Sequence, residues 1–269
     1  MPKNLTMAGI KDLYREQKLI PFVGAGLSMV FDLPSWGQLI DIVAKELNWD
    51  PEVFKLSGNF WQLAGYYKIQ KGGIGELRSR LDKQFVPTDK DILSSRSHTA
   101  ITKMKLPIIY TTNFDNIIER AFELNRKKFR LIRNLRDISD KGRDLPEIVK
   151  FHGSFEDDST LVLTESDYFN RLDFETPLDI KLRADILGRT LLFIGYSFAD
   201  INLRYMLHKL NKLREGERDL QPEIPTAIMT TFVSDDVQKV LLREWNVETV
   251  ELDPVNKTNS LADFLESLL

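Results

Sequence analysis

The stretch "KLIPFVGAGLSMVFDLPSW" (18–36) decides the fold. Leu19 to Val23 is an apolar run, Gly24-Ala25-Gly26 is a tight backbone bend, and Leu27-Ser28-Met29-Val30 can open a helix. A buried strand, a glycine turn and a helix start are how a nucleotide phosphate is usually met, because the first helical N–H groups are unpaired and face it. The dinucleotide fingerprint needs a third glycine at position 29, where this chain has Met29. The turn therefore leaves open which nucleotide it would hold.

Working outward, short apolar runs alternate with helical patterns. Strands are predicted at 19–23, 107–112, 129–132, 148–152, 160–163, 191–195, 226–231 and 248–252. Several are continuous Val/Ile/Leu/Phe runs, the pattern of strands covered on both faces. Ser35 before "WGQLIDIVAKEL", Ser234 before "DDVQKVLLREW" and Ser260 before "LADFLESL" read as helix caps. The alternation predicts an α/β fold with a doubly wound, mostly parallel Rossmann-like sheet, in one domain over 1–269. Between the first strand and "PIIYTTNFD" no strand is evident, so residues 37–106 are expected to form a helical insertion and a smaller lobe. A second helical stretch is expected over 166–189.

Composition narrows the function. A formal charge of −3 argues against a surface built for nucleic acid, and no direct nucleic-acid site is evident. The basic stretch "RKKFRLIRNLR" (126–136) reads as a solvated face. With no cysteine, disulfides, thiolate zinc sites and a cysteine nucleophile are excluded, and no metal is expected. No signal peptide is seen, and no apolar run approaches the ~20 residues that span a bilayer. The expected location is cytoplasmic.

Four clusters follow predicted strands: "GAGLS" (24–28), "TTNFD" (111–115), "FHGS" (151–154) and "GYSFAD" (195–200). In an open parallel sheet the residues past the strand ends gather in one crevice, where ligands bind. In that order and with those residues the chain resembles the sirtuin-like superfamily, and more closely its prokaryotic branch of NAD-consuming domains. The matching segments are Gly24-Ala25-Gly26-Leu27-Ser28, Thr111-Thr112-Asn113-Phe114-Asp115, His152-Gly153 and Gly195-Tyr196-Ser197.

The resemblance implies NAD as substrate and assigns roles. Gly24, Ala25 and Gly26 let the backbone approach the diphosphate, and Ser28 can donate to it. Asn113 offers a donor and an acceptor to the ribose or the attacking water. His152 can serve as general base at neutral pH. Asp115 could engage the nicotinamide carboxamide or cap the helix that follows it. Thr112, Gly195, Ser197 and Asp200 complete the set, the last two for a phosphate or the adenosine ribose. His98 reads as a cap or buttress of a helix, and His208 as a helix-surface or interface residue.

Departures from the protein-deacylating sirtuins matter as much. Their four-cysteine zinc module is absent, and where they carry an acidic, aromatic and arginine segment this chain reads Asp32-Leu33-Pro34-Ser35-Trp36-Gly37. No acyl-peptide groove is evident, so water is the expected acceptor and NAD hydrolysis the expected reaction. The branch supplies NAD-depleting effectors of antiviral defence by abortive infection. Such an enzyme needs a separate sensor, for example a hexameric translocase ATPase of the HerA kind or a short argonaute-like protein, and a homo-oligomer is expected. The alternatives are a deacylase or ADP-ribosyltransferase, and a non-catalytic NAD or ADP-ribose-binding assembly module. Phe60, Trp61, Tyr66 and Tyr67, with the 126–144 surface, are the expected contact regions.

Overall fold

The computed structural model describes residues 5–84, 86–140, 144–171, 173–197, 201–214 and 224–269. Its sheet runs β1 Leu19–Val23, β2 Ile108–Thr111, β3 Arg130–Ile132, β4 Glu147–Lys150, β5 Thr190–Ile194, β6 Ala227–Thr231 and β7 Val247–Glu251. All pairings are parallel, in the spatial order β3-β4-β2-β1-β5-β6-β7. β1 lies at the centre and pairs in register with β5 along its whole length, Leu19 with Thr190 through Val23 with Ile194.

The alternation of side chains along each strand sorts the core into two faces. Leu19, Val23, Ile109, Ile148, Leu192 and Ile194 pack with the helices Met7–Arg15, Arg96–Lys103, Ile117–Leu124 and Lys257–Leu268. Ile20, Phe22, Tyr110, Val149, Leu191 and Phe193 face the other way, onto Pro177–Asp185, Ile201–Leu213 and Asp236–Glu244. β1, β5 and β6 are buried throughout, as both-face coverage requires.

Helices Trp36–Glu46, Pro51–Lys55, Phe60–Lys71 and Gly75–Gln84 surround a cluster of their own, with Ile40, Val43, Phe54, Leu63 and Tyr67 inside. Ser35 and Asn59 start two of them with capping boxes, each accepting from the N3 backbone while a glutamine reaches back to the cap. Helices Asp89–Ser94 and Arg96–Lys103 lead the chain back to β2. No helix among the described residues is long and apolar enough to cross a membrane.

Four local expectations are corrected. Residues 160–163 are not a strand; Leu161 and Leu163 instead bury against Ala64 and Ile74 of the helical segment. The cap of Asp236–Glu244 is Asp235 rather than Ser234, and Lys257–Leu268 starts from Asn256, placing Ser260 inside it. After the glycine turn the chain winds into a 3-10 helix, Ala25–Phe31, ending at Asp32 in a left-handed conformation.

Candidate functional site

The four clusters follow β1, β2, β4 and β5, which are four neighbouring strands, so their turns share one edge of the sheet. Backbone bonds stitch them together. Gly24 N donates to Ile194 O (2.8 Å), Gly26 N to Gly195 O (3.0 Å), Thr112 N to Val23 O (3.0 Å) and Phe151 N to Thr111 O (2.7 Å). The Tyr196 hydroxyl lies 2.7 Å from the Thr112 hydroxyl and also donates to Val23 O.

The glycines are needed first for this packing. A Cβ on Gly26 would stand 2.8 Å from the Cα and O of Gly195, and one on Gly24 2.8 Å from the Tyr196 ring. Gly195 itself has φ +76°, and a Cβ there would stand 2.6 Å from the Leu27 amide nitrogen. Gly153, beside His152, has φ +86° and its Cβ would collide with the Thr160 carbonyl at 2.2 Å, so only glycine turns the chain there.

Asn113 and Ser28 are buried and bonded to each other, Asn113 Nδ2 donating to Ser28 Oγ at 3.0 Å. With the amide nitrogen so engaged, Asn113 Oδ1 is left as a buried acceptor with no partner among the described residues. Asp115 accepts from Ile117 N, the first amide of helix Ile117–Leu124, at 3.0 Å, while the N-cap Asn116 makes no side-chain capping bond. Ala25 and Ser197 are exposed. Asp200, the remaining candidate, lies outside the described residues together with 198–199.

His152 opens onto a cleft also lined by Thr112, Tyr196, Tyr168, Arg171 and Met206. Burial, with the Arg171 guanidinium as a lesser cause, holds its imidazole well below the usual histidine pKa. The ring is therefore neutral at pH 7, the form that can take a proton. Arg171 is fixed in turn, its guanidinium donating to Phe151 O and to the buried Asp179 carboxylate and lying 4.1 Å from the Phe151 ring centroid. A neutral base in this cleft can activate a hydroxyl held beside it, and the unpaired amide oxygen and the stitched glycine turn lie after neighbouring strands at the same edge.

A model of the SIR2-like domain matches residues 107–250, more than half of the chain. The chain belongs to the SIR2-like family. Among curated proteins, this SIR2-like chain is 30% identical to the NAD(+) hydrolase ThsA of Enterococcus faecium over 81% of its own length and 45% of the relative's. It is 25% identical to the NAD(+) hydrolase ThsA of Bacillus cereus (strain MSX-D12), over 96% of this chain and 56% of that one. It is also 30% identical to Defense-associated sirtuin 2 of Bacillus subtilis, over 77% of this chain and 20% of that protein. The SIR2-like chain thus spans about half, or less, of the length of the curated relatives it matches.

Several residues at this edge lie outside the four motifs. Lys150, at the end of β4, is fully buried, pairs with Glu119 at 3.1 Å and donates to the Asp115 carbonyl. Burial pushes the Glu119 carboxyl up, with Lys150 opposing. Tyr168 meets the His152 ring edge to face, their centroids 5.5 Å apart. "VKFHGS" could have pointed to Lys150, since a lysine inside an otherwise apolar strand end needs a partner. The pairing of Arg171 with Asp179 has no such cue.

Of the expected contact regions, Tyr67 is buried and its hydroxyl donates to Glu46, and Trp61 packs on Tyr168. Phe60 and Tyr66 remain exposed. In the basic stretch, Arg130 pairs with Glu147 and Arg133 with Asp137 and Glu156, while Arg126, Lys127, Lys128 and Arg136 are exposed. His98 is buried with Nδ1 2.8 Å from the Ser95 hydroxyl, and His208 lies against Trp245.

Proposed function

We propose that this chain is a NAD glycohydrolase, an NAD-depleting effector of a bacterial antiviral defence system. Water attacks C1′ of the nicotinamide-bearing ribose, the N-glycosidic bond breaks with its electron pair going to nicotinamide, and the water proton is released through a base. The products are nicotinamide, ADP-ribose and a proton. His152 acts as that base, and Asn113 Oδ1 accepts from the water or a ribose hydroxyl. Gly24, Ala25, Gly26, Ser28, Thr112, Gly195, Ser197 and Asp200 hold the dinucleotide, and Asp115 fixes the loop that carries Asn113. No cofactor besides the substrate takes part.

The observation that supports this reading is that neutral His152 and the unpartnered Asn113 acceptor follow the neighbouring strands β4 and β2, at the same sheet edge as the glycine turn after β1. The relatives named NAD(+) hydrolase ThsA and Defense-associated sirtuin 2 support the activity and the defence setting. Unregulated NAD hydrolysis would kill the host, so the proposal includes control by self-assembly, by a sensor subunit such as a HerA-type translocase or short argonaute-like protein, or by both. The helical segment 37–106 is the lobe through which such control would reach the site.

The test is to incubate the purified chain with NAD, alone and with the product of a neighbouring gene, and follow both products by chromatography. Release of nicotinamide and ADP-ribose in equal amounts is expected. NAD binding with neither product under any condition would overturn hydrolysis in favour of a nucleotide-sensing assembly module.

A further inference from the structure

A general base works only if its ring is held in one orientation. No described residue hydrogen-bonds the His152 imidazole; its neighbours are the rings of Phe151 and Tyr168 and the Arg171 charge. Orientation therefore rests on packing. Tyr168 stands at 87° to the imidazole with centroids 5.5 Å apart. The same Tyr168 ring is also met from the helical segment, by Trp61 at 5.2 Å and 63°.

The segment carrying Tyr168 is held at both of its ends and in its middle. Val162 N donates to the His152 carbonyl at 2.9 Å, and Arg171 donates to the Phe151 carbonyl. Helix Glu165–Phe169 is started by a Thr164–Asp167 capping box. It is tied to helix Phe60–Lys71 by Gln62 Nε2 donating to Glu165 Oε1 at 3.0 Å and by Lys68 facing Asp167 at 3.9 Å. Leu161 and Leu163 bury against Ala64 and Ile74. Residues 161–171 thus form a strap that begins and ends on the His152 backbone neighbourhood and leans on the helical segment between.

We propose that Tyr168 is a positioning residue for His152 and that Trp61 sets Tyr168, so that the packing of helix Phe60–Lys71 governs the orientation of the imidazole. This deepens the NAD-cleaving reading and rests on it, and it gives a partner bound to the helical segment a physical route to the site. A shift of that helix moves Trp61, then the Tyr168 ring, then the base, with no change in the nucleotide contacts.

The first test needs no turnover. The chain has three histidines, His98, His152 and His208, so the imidazole carbon–proton resonances can be assigned by single substitution. Trp61→Ala and Tyr168→Leu should move or broaden the His152 resonance and leave those of His98 and His208 in place, which also reports that the fold is intact. Trp61→Phe, a smaller ring, should move it less and in the same direction, and Tyr168→Phe, which keeps the ring, should move it less than Tyr168→Leu. In the active assembly, Trp61→Ala and Tyr168→Leu should lower kcat by roughly tenfold or more while KM for NAD changes little, the signature of a misplaced catalytic group.

An unmoved His152 resonance in both variants would overturn the proposal, and so would a Tyr168→Phe effect as large as that of Tyr168→Leu. If Trp61→Ala does not fold, the Trp61→Phe and Tyr168→Leu spectra decide in the same way. A wild-type protein that releases no nicotinamide under any condition refutes the hydrolase reading, whereas an unmoved resonance beside active enzyme refutes only this one.

Discussion

His152 and Asn113 owe their chemistry to what surrounds them. Burial and Arg171 keep the imidazole neutral, and the bond to Ser28 turns the Asn113 oxygen into the free group. Under the proposed mechanism, His152→Ala and Asn113→Ala each abolish NAD turnover with the fold retained, and the loss lies in kcat more than in NAD affinity. Near wild-type turnover by either variant removes that residue from the mechanism. His98 has a separate, structural consequence. Burial lowers its pKa from 6.5 to about 4, and its Nε2 has no partner among the described residues. Because the folded value lies below the unfolded one, the unfolded chain takes up the proton first as pH falls from 6.5 toward 4. Stability is therefore full above that window and lost within it, by up to about 3 kcal/mol on this account. Urea midpoints at pH 7 and pH 4.5 should fall more steeply in the wild type than in His98→Phe; equal slopes would sink the idea.

At the level of elements, the site is a matter of strand ends pressed together. Gly26 has no room for a side chain against the Gly195 backbone. Gly26→Val should destabilise the fold by about 1–3 kcal/mol through overpacking and weaken NAD binding by roughly tenfold, since the same turn would face the diphosphate. Calorimetry showing lower melting temperature with unchanged NAD affinity would confine the glycine to packing. Between β4 and helix Ile117–Leu124, the Lys150–Glu119 pair anchors the loop that carries Asn113. Lys150→Met strands a buried carboxyl and should cost about 3–5 kcal/mol, while Lys150→Met with Glu119→Leu should recover most of it. Denaturant unfolding of both variants checks this, and a single-variant loss below about 1 kcal/mol would mean the pair is unimportant to the fold.

For the whole molecule, the helical segment is the natural place for control, since it has its own core yet leans on the strap beside His152. Of the four aromatics of its helix Phe60–Lys71, Trp61 and Tyr67 are taken up by that packing, and Phe60 and Tyr66 remain exposed. We expect the isolated chain to be weakly active or assembled into an inactive multimer. Size-exclusion chromatography with light scattering, alongside a nicotinamide-release assay, tests this; a strictly monomeric and fully active protein would refute the regulatory proposal and leave the catalytic one standing.

Apolar patterning located all seven strands, most clearly β1, β5 and β6, because a strand buried on both faces must be apolar along its whole length, and the glycine and polar motifs marked the four turns. The same pattern misread 160–163, where Leu161 and Leu163 are apolar because they meet Ala64 and Ile74 rather than a neighbouring strand. Caps were legible to within a few residues, since Ser234 competes with Asp235 and Ser260 with Asn256 for the same role. Local sequence carries burial and periodicity, and these determined the α/β class and the order of the motifs. Which turns become neighbours, that β4, β2, β1 and β5 lie side by side, that Lys150 finds Glu119 and that Trp61 reaches His152 through Tyr168, was decided only by the tertiary structure. Those contacts join residues far apart in the chain, and their energies depend on distances that no local pattern contains.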